Sequence, residues 1–341
     1  MAYQINLILT TKKSNMNYSI IIPHKNTPEL LRRCIKSIPQ RDDLEIIIVD
    51  DNSSKEIVDF DNFPGLNRKN TTVIFNKEGK GAGNARNIAI PKTNGKYVIF
   101  ADSDDFFNDC FIDILNDYCN KEFDVVYFNA NSVDSDTFKP SNRVDHLHEF
   151  FNIYEKDHKE GLLYFRYMFT EPWCKIVKRN IIIDNNILFG KTIVDEDVVF
   201  AINVGYHSNI IYIDYREGYC VTNREGSLCK TISSKADNDR FYVHSMWNMF
   251  LMQNGINLTI PRFEYMMYIM SQLLYKDPHD FLRRYQILRE NRYSLYYILR
   301  KITSNLLVTL KIKIKNIYNI LFKKLNHFEK KFLMRYPKLL Q

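Results

Sequence analysis

The first 130 residues alternate between short apolar runs and longer amphipathic stretches. Short apolar runs fall at 18–23 (YSIIIP), 44–49 (LEIIIV), 71–75 (TTVIF) and 96–100 (KYVIF). They hold Ile and Val without polar alternation, as strands buried on both faces of a parallel sheet do. Their starts lie roughly 26 residues apart, room for one strand, one helix and two loops. Between the first two, segment 28–38 sets Leu30, Leu31, Cys34, Ile35 and Ile38 on one helical face, with Thr27 as N-cap and Pro28 as first helical residue. Segments 82–90 and 109–118 read as helices in the same way, and 124–129 as a fifth strand. The series is βαβαβ, and right-handed crossovers make it an open, doubly wound α/β layer.

Polar residues dominate from 133 to 158. A helix at 161–169, the stretch 171–178, a helix at 196–206 and strands near 210–213 and 218–222 continue the same domain. Residues 236–341 read as almost wholly helical. No internal repeat or low-complexity tract interrupts the chain.

Composition narrows the class. With 341 residues and 45% hydrophobic content, the chain suits one large α/β domain with additions, or two domains. Six cysteines, at 34, 110, 119, 174, 220 and 229, form no C-x-x-C pair and fit a reducing compartment. The apolar start is followed by Lys12 and Lys13 rather than a cleavage site, so no signal peptide is read, and Met16 is an alternative start. No window is long and apolar enough to span a membrane. The formal charge of +7 is uneven: residues 300–341 hold 11 Lys/Arg against one acid, a net +10, which leaves −3 for the other 299.

In an open parallel sheet, ligands bind at the carboxyl ends of the strands. Here those ends read Pro23-His24-Lys25-Asn26, Asp50-Asp51-Asn52-Ser53, the Gly79–Asn87 segment GKGAGNARN, and Asp102-Ser103-Asp104-Asp105. The Asp102-Ser103-Asp104 triplet has the D-x-D form, in which two carboxylates can share a hard cation such as Mg²⁺ or Mn²⁺ together with phosphate oxygens; helix-terminal acids are the competing reading. Asp51 can accept the imide N–H of a uracil ring, or fill a turn. Gly79-x-Gly81-x-Gly83 matches neither the dinucleotide nor the P-loop spacing. The small residues opening this helix, with Arg86 one turn on, can bring N–H groups and a cation near a phosphate.

The ordered set SIIIPHKN, EIIIVDDNSS, GAGNARN, FADSDD, EPWCKIVKR, DEDVVF and REGSL resembles the family 2 glycosyltransferases of the GT-A fold, over roughly 18–230. The resemblance implies a mostly parallel, Rossmann-like sheet flanked by helices, with a C-terminal helical extension. It divides the chain into an extension at 1–17, a catalytic domain at 18–235 (nucleotide-sugar half 18–131, acceptor half 132–235) and a helical region at 236–341. It implies a nucleotide-sugar site at Pro23, Asn26, Asp51, Arg86, Asp102, Ser103 and Arg224, with Arg224 in a loop over the diphosphate. Metal ligation falls to Asp102 and Asp104, acceptor contact to Trp173 and Glu196, and catalysis to Asp197. A single carboxylate that takes the acceptor's proton suffices for inversion, and Asp195 is the fallback base. Trp173 is either the acceptor floor or a core residue, and His146 and His148 read as surface residues.

Leu299, Ile302, Leu306, Leu310, Ile314, Ile317, Leu321, Leu325, Phe328 and Phe332 form one apolar stripe flanked by lysines. Such a helix suits the interface of an anionic bilayer, which implies a cytoplasmic enzyme peripheral on the inner face of the cell membrane. Packing on the domain, or a homodimer, are competing uses of the stripe. Nucleic acid is not an expected partner, since the body is acidic and no groove-reading motif occurs. The sequence thus points to an inverting transfer from a nucleotide-diphosphate sugar, UDP favoured, to a glycan or lipid-linked acceptor of bacterial surface polysaccharide. Two rivals are a sugar-phosphate nucleotidyltransferase, against which PHKNTP after the first strand argues, and a non-catalytic membrane scaffold.

Overall fold

The structure is a computed structural model and describes residues 16–224, 233–311 and Lys315. Among these, eight strands form one sheet in the order β3-β2-β1-β4-β7-β6-β8-β5. The apolar runs become β1 (Tyr18–His24), β2 (Leu44–Asp51), β3 (Thr71–Asn76) and β4 (Tyr97–Phe100), all mutually parallel. Every residue of β1, β2 and β4 is buried, whereas β3 is partly exposed, as an edge strand should be.

Strand order reverses at β1: the chain steps outward to β2 and β3, then returns to place β4 on the other side of β1. That reversal leaves a crevice between the loops that follow β1 and β4. Pro23 lies two residues past the last β1–β4 pair, Ile21↔Phe100, so its missing N–H falls where these strands part.

Helix α1 (Pro28–Ser37) starts at Pro28 as expected. Thr27 makes no side-chain cap; its N–H instead donates to His24 Nε2 at 3.1 Å. The β2–β3 crossover, residues 52–70, is irregular rather than helical. Helix α2 (Ala82–Ala89) leads to β4, and a two-residue strand β5 (Phe106–Phe107) precedes α3 (Phe111–Tyr118).

The second half departs further from the sequence reading. The fifth predicted strand is β6 (Val125–Asp134), but it does not lie next to β4. Between them runs β7 (Lys175–Lys178), antiparallel to both. The segment taken as loosely polar contains α4 (Asp145–Lys156), which buries Leu147, Phe150 and Phe151. Helix α5 (His158–Tyr167) follows, capped by Asp157, whose carboxylate accepts from the N–H groups of Lys159 and Glu160. After α6 (Arg179–Asp184) and α7 (Asp197–His207), the two expected strands are one long strand, β8 (Ile211–Asn223), pairing with β6 through register shifts at Phe128–Ala130.

The chain divides into two compact units, the first ending at Asp239 and the second beginning at Arg240, within α8 (Ser234–Gln253). The second unit holds the rest of α8, α9 (Pro261–Lys276), α10 (Pro278–Glu290) and α11 (295–311), and buries Trp247, Phe263, Met267, Leu288, Tyr293 and Ile298. In α11 the expected stripe splits: Ile302 is buried, while Leu299 and Leu310 are exposed. Most of the stripe lies outside the described residues, as do residues 1–15. No helix among the described residues is long and apolar enough to cross a membrane.

Candidate active site

The loops after β1 and β2 lock together through buried polar groups. His24 is 2% exposed, and its Nδ1 lies 2.8 Å from Asp50 Oδ1. Because His24 Nε2 accepts from the Thr27 N–H, Nδ1 carries the proton and donates to Asp50. Burial pushes the Asp50 carboxyl up, but hydrogen bonds from His24 and Ser53 outweigh it and hold the pKa below the ordinary carboxylate range. Asn26, in the left-handed region at φ 57°, donates its N–H to Ser53 Oγ and accepts the Ser54 N–H on its side chain. It therefore ties the first loop to the second.

Asp51 is buried at 2% exposure. Its carboxylate accepts from Asn76 Nδ2 at 3.0 Å, the Lys80 N–H at 3.2 Å and the Gly81 N–H at 2.7 Å. Gly81 sits at φ 93°, a conformation that suits glycine, so the loop can turn its amides inward. The anion these amides hold is thus the protein's own Asp51, at the mouth of α2.

Arg86 joins the two halves of the site. Its side chain is 4% exposed; Nη2 lies 2.6 Å from Asp102 Oδ1 and Nη1 3.3 Å from Glu196 Oε1. The guanidinium carbon is 5.1 Å from the Phe189 ring centroid. Reciprocal bonds between the Asn87 side chain and the Phe189 backbone clip α2 to the segment before α7. Gly83 permits this approach, since a Cβ there would sit 2.7 Å from Glu196 Cγ. Burial opposes the charge on Arg86, but Asp102, Glu196 and Asp197 more than restore it, and its pKa is raised.

The turn after β4 presents the D-x-D acids. The Asp102 N–H donates to Tyr219 Oη at 2.9 Å, and Asp104 Oδ2 accepts from Arg224 Nε at 2.7 Å. Ser103 is 9% exposed, with Oγ 3.4 Å from Thr27 Oγ1 across the crevice. Asp105 turns inward and accepts the Thr222 N–H at 2.7 Å. Burial raises the Asp102 pKa, with Asp104 adding and Arg86 opposing.

At α7, Glu196 is the N-cap residue and Asp197 the first helical residue. The Asp197 carboxylate has no hydrogen-bond or ion-pair partner among the described residues. Burial, then Glu196 and Glu171, push its pKa well up, and Arg86 opposes them. A raised pKa makes this group a stronger proton acceptor whenever it is ionised.

Arg86 joins Asp102 to Glu196, Arg224 holds Asp104, Ser103 meets Thr27, and Asp51 is bonded to the amides that open α2. Trp173 is placed differently: it is 6% exposed, stacks on Tyr219 at 5.7 Å and meets Phe169 edge-on at 6.0 Å. It backs the tyrosine that holds Asp102 and offers no open face to an acceptor, so the core reading of this residue holds. His146 and His148 lie at the surface, with His146 Nε2 2.8 Å from Glu171 Oε1. Sequence reasoning passed over His24, Tyr219, Glu171 and Lys175, although the last two sit in the EPWCK segment. The loop beyond Arg224, residues 225–232, lies outside the described residues.

The D-x-D turn fits a divalent ion in part. Asp102 Oδ1 and Asp104 Oδ2 are held by arginines, and the second oxygen of each has no partner among the described residues. No group of three or more His, Cys, Asp or Glu positioned for a metal occurs among those residues. The arrangement suits an ion that takes one or two carboxylates and completes its shell from a diphosphate and water.

Residues 19–185 match the family model for glycosyl transferase family 2. The chain is 29% identical over 228 residues to a poly(ribitol-phosphate) beta-glucosyltransferase of Bacillus spizizenii, covering 62% of this chain and 33% of that protein. It is 27% identical over 225 residues to the glycosyltransferase GlyG of Streptococcus pneumoniae, covering 62% of this chain and 73% of that one. The match thus spans about a third of the length of the Bacillus relative. Among solved structures, residues 1–349 of S. aureus TarS in complex with UDP-GlcNAc superpose with a TM-score of 0.55 at 20% identity, over 76% of this chain and 72% of that one. The fold is the GT-A fold, and residues 19–185 match the family 2 glycosyltransferases.

Proposed function

We propose that this protein is an inverting glycosyltransferase that moves a sugar from a nucleotide-diphosphate sugar, UDP favoured, to a hydroxyl of a glycan or lipid-linked acceptor in bacterial surface polysaccharide synthesis. The observation that carries the reading is Arg86, one buried guanidinium touching both the D-x-D turn and the residue beside the base. That contact supports placing the diphosphate site and the proton acceptor on the same side of the sheet. The nucleotide half is 18–131, with Pro23, Asn26 and Asp51 framing the base, and the acceptor half is 132–235. The names of the curated relatives, which act on poly(ribitol-phosphate), support a surface-polymer acceptor.

In this mechanism the acceptor oxygen attacks the anomeric carbon from the face opposite the diphosphate. The carbon–oxygen bond to the diphosphate breaks and its electron pair leaves with that oxygen. The acceptor's proton passes to Asp197. Asp102 and Asp104 would hold a divalent ion, Mn²⁺ or Mg²⁺, which when bound offsets negative charge on the departing diphosphate. Arg86 and Arg224 keep the two acids oriented. General-base assistance by Asp197 is worth about 10²–10⁴ in rate.

The exposed apolar side chains Leu295, Tyr296, Leu299, Leu307 and Leu310 on α11, near Arg300 and Lys311, support docking on an anionic inner membrane face.

The test is a screen of nucleotide sugars for thermal stabilisation with and without Mn²⁺. One nucleotide sugar should stabilise, the metal should strengthen it, and Asp104→Asn should remove the metal dependence. If no nucleotide sugar binds in the presence of Mn²⁺, the proposal fails.

A further inference from the structure

The second unit contains a polar cavity that glycosyl transfer leaves unused. Its volume is about 440 Å³, and its walls include Asn248 of α8, Glu264 of α9, and Tyr297, Arg300, Lys301 and Ser304 of α11. The floor is fixed by buried hydrogen bonds. Asn248 Nδ2 donates to Tyr293 Oη at 2.9 Å, and that hydroxyl donates to the Ser245 carbonyl at 2.8 Å. Lys301 Nζ lies 2.7 Å and 2.8 Å from the two Glu264 carboxylate oxygens, so these opposite charges cancel. The Arg300 side chain has no hydrogen-bond or ion-pair partner among the described residues. The cavity therefore carries one uncompensated positive charge.

Helix α11 gives each kind of residue its own face. Tyr297, Arg300, Lys301 and Ser304 are spaced three and four apart, so they share the side that lines the cavity. The buried Ile298 and Ile302 form the side packed on the core of the unit. Leu295, Leu299 and Leu310 lie on a third side and are exposed. Arg300 stands at the seam between the cavity and this apolar strip, because the exposed Tyr296 and Leu307 are its neighbours one and two turns away. A cationic polar cavity beside a strip of solvent-facing apolar side chains matches an amphiphile, with the head in the cavity and the hydrocarbon along the strip.

Resting on the membrane-docking reading above, we propose that this cavity binds the headgroup of a phosphodiester lipid whose head is hydroxylated and otherwise uncharged, while the apolar strip enters the acyl region. Charge selects the linkage. A phosphodiester carries a single negative charge, which Arg300 balances, whereas a phosphomonoester carries about −1.5 to −2 and leaves an excess. Hydroxyls suit the remaining walls. Ser304 and Tyr297 can donate and accept, and the Glu264 carboxylate keeps lone pairs beyond those facing Lys301. A serine head would bring a second carboxylate toward Glu264 and is disfavoured.

The test is flotation of the full chain on phosphatidylcholine vesicles that contain equal fractions of phosphatidylglycerol or phosphatidylserine. Both lipids give the surface the same charge, so non-specific attraction treats them alike. The wild type should bind the phosphatidylglycerol vesicles roughly tenfold tighter, the scale of one charge-assisted hydrogen bond. Arg300→Gln should bring that ratio to about one. So should Ser304→Gln, which pushes a longer neutral side chain into the cavity. Lys311→Gln, the same charge change outside the cavity, should weaken binding to both vesicles by about fivefold and leave the ratio intact. Equal binding of the wild type to the two vesicles overturns the inference and leaves the membrane reading standing. A ratio unmoved in both cavity variants, each with native circular dichroism, does the same. Binding to neither vesicle overturns both. Free glycerophosphoglycerol should not compete at the same phosphate concentration; if it competes as well as the vesicles, the cavity takes a soluble phosphodiester and the lipid proposal falls.

Discussion

Replacing Arg86 by Met removes the guanidinium and keeps much of the stem's packing. Two carboxylates lose their partner, at 2.6 Å and 3.3 Å, around an arginine that is 4% exposed. Removing one member of a buried ion pair costs about 3–5 kcal/mol. Here the acids keep some hydration, with side-chain exposures of 32% for Asp102 and 21% for Glu196, which favours the low end. Loss of the stacking on Phe189 adds about 0.5–1 kcal/mol. The expected loss is therefore about 3.5–4 kcal/mol, or roughly 7–16 °C in Tm for a domain of this size. The assay is urea and thermal unfolding of wild type and Arg86→Met, each in EDTA and in Mn²⁺. Mn²⁺ should recover more stability in the variant than in the wild type, because the unpaired Asp102 gains more from a cation. Arg86→Lys should recover little, since an ammonium cannot reach both acids with a planar fork. A loss below about 1 kcal/mol would refute the bridging role, because that is the scale of an ordinary exposed ion pair.

Three further outcomes follow from the geometry. Gly83→Ala forces a Cβ to 2.7 Å from Glu196 Cγ and 3.1 Å from the Gly190 carbonyl, so it should cost about 1–3 kcal/mol in urea unfolding and lower transfer by displacing the start of α7. Tyr219→Phe deletes the hydroxyl that accepts the Asp102 N–H and should cost about 1 kcal/mol, with a weaker apparent affinity for Mn²⁺ in a metal titration of activity. The Asp50 carboxyl is held below its ordinary pKa, so its contribution is complete above about pH 4 and is lost as the pH falls through the folded value. Asp50→Asn should therefore be less stable than wild type at pH 7, with the gap closing toward pH 3 in denaturant titrations.

The parallel half of the fold was legible because its signals are local. Each of β1, β2 and β4 is built on a short apolar run, Ile20–Ile22, Ile46–Val49 and Tyr97–Phe100, and each is buried along its whole length. The acids that follow these strands stand next to them in sequence, so their shared rim could be read from topology alone. The second half was less legible for a physical reason. In α4 the buried Leu147, Phe150 and Phe151 do lie at helical spacing, but His146, His148, Glu149 and Asn152 dilute them into an apparently polar stretch. The register shifts in β8 hide a single strand as two. The bond from Arg86 to Glu196 joins residues 110 apart, and no local pattern encodes it. For Trp173 the sequence leaves acceptor floor and core residue open, because an aromatic beside a polar motif fits both; in the fold it stacks on Tyr219.

The direction of β7 sets which of its ends lies at the carboxyl edge of β4. A parallel strand beside β4 would bring its carboxyl end to the rim, and the amino-terminal segment Glu171–Lys175 would lie at the far edge of the sheet. Because β7 is antiparallel to both β4 and β6, Lys175 instead stands opposite Tyr127 at the end where Asp102 emerges. The same rim receives α7 through the contacts of Phe189 with Asn87 and of Glu196 with Arg86. A Cβ at Gly83 would crowd both contacts, since it would sit 2.7 Å from Glu196 Cγ and 3.2 Å from Phe189 Cβ. The β4 turn and the start of α7 are thus joined by one missing Cβ and one arginine, which contacts both Asp102 and Glu196. These are features of pairing and packing, and they account for why the motif residues converge although the segments that carry them are far apart in the chain.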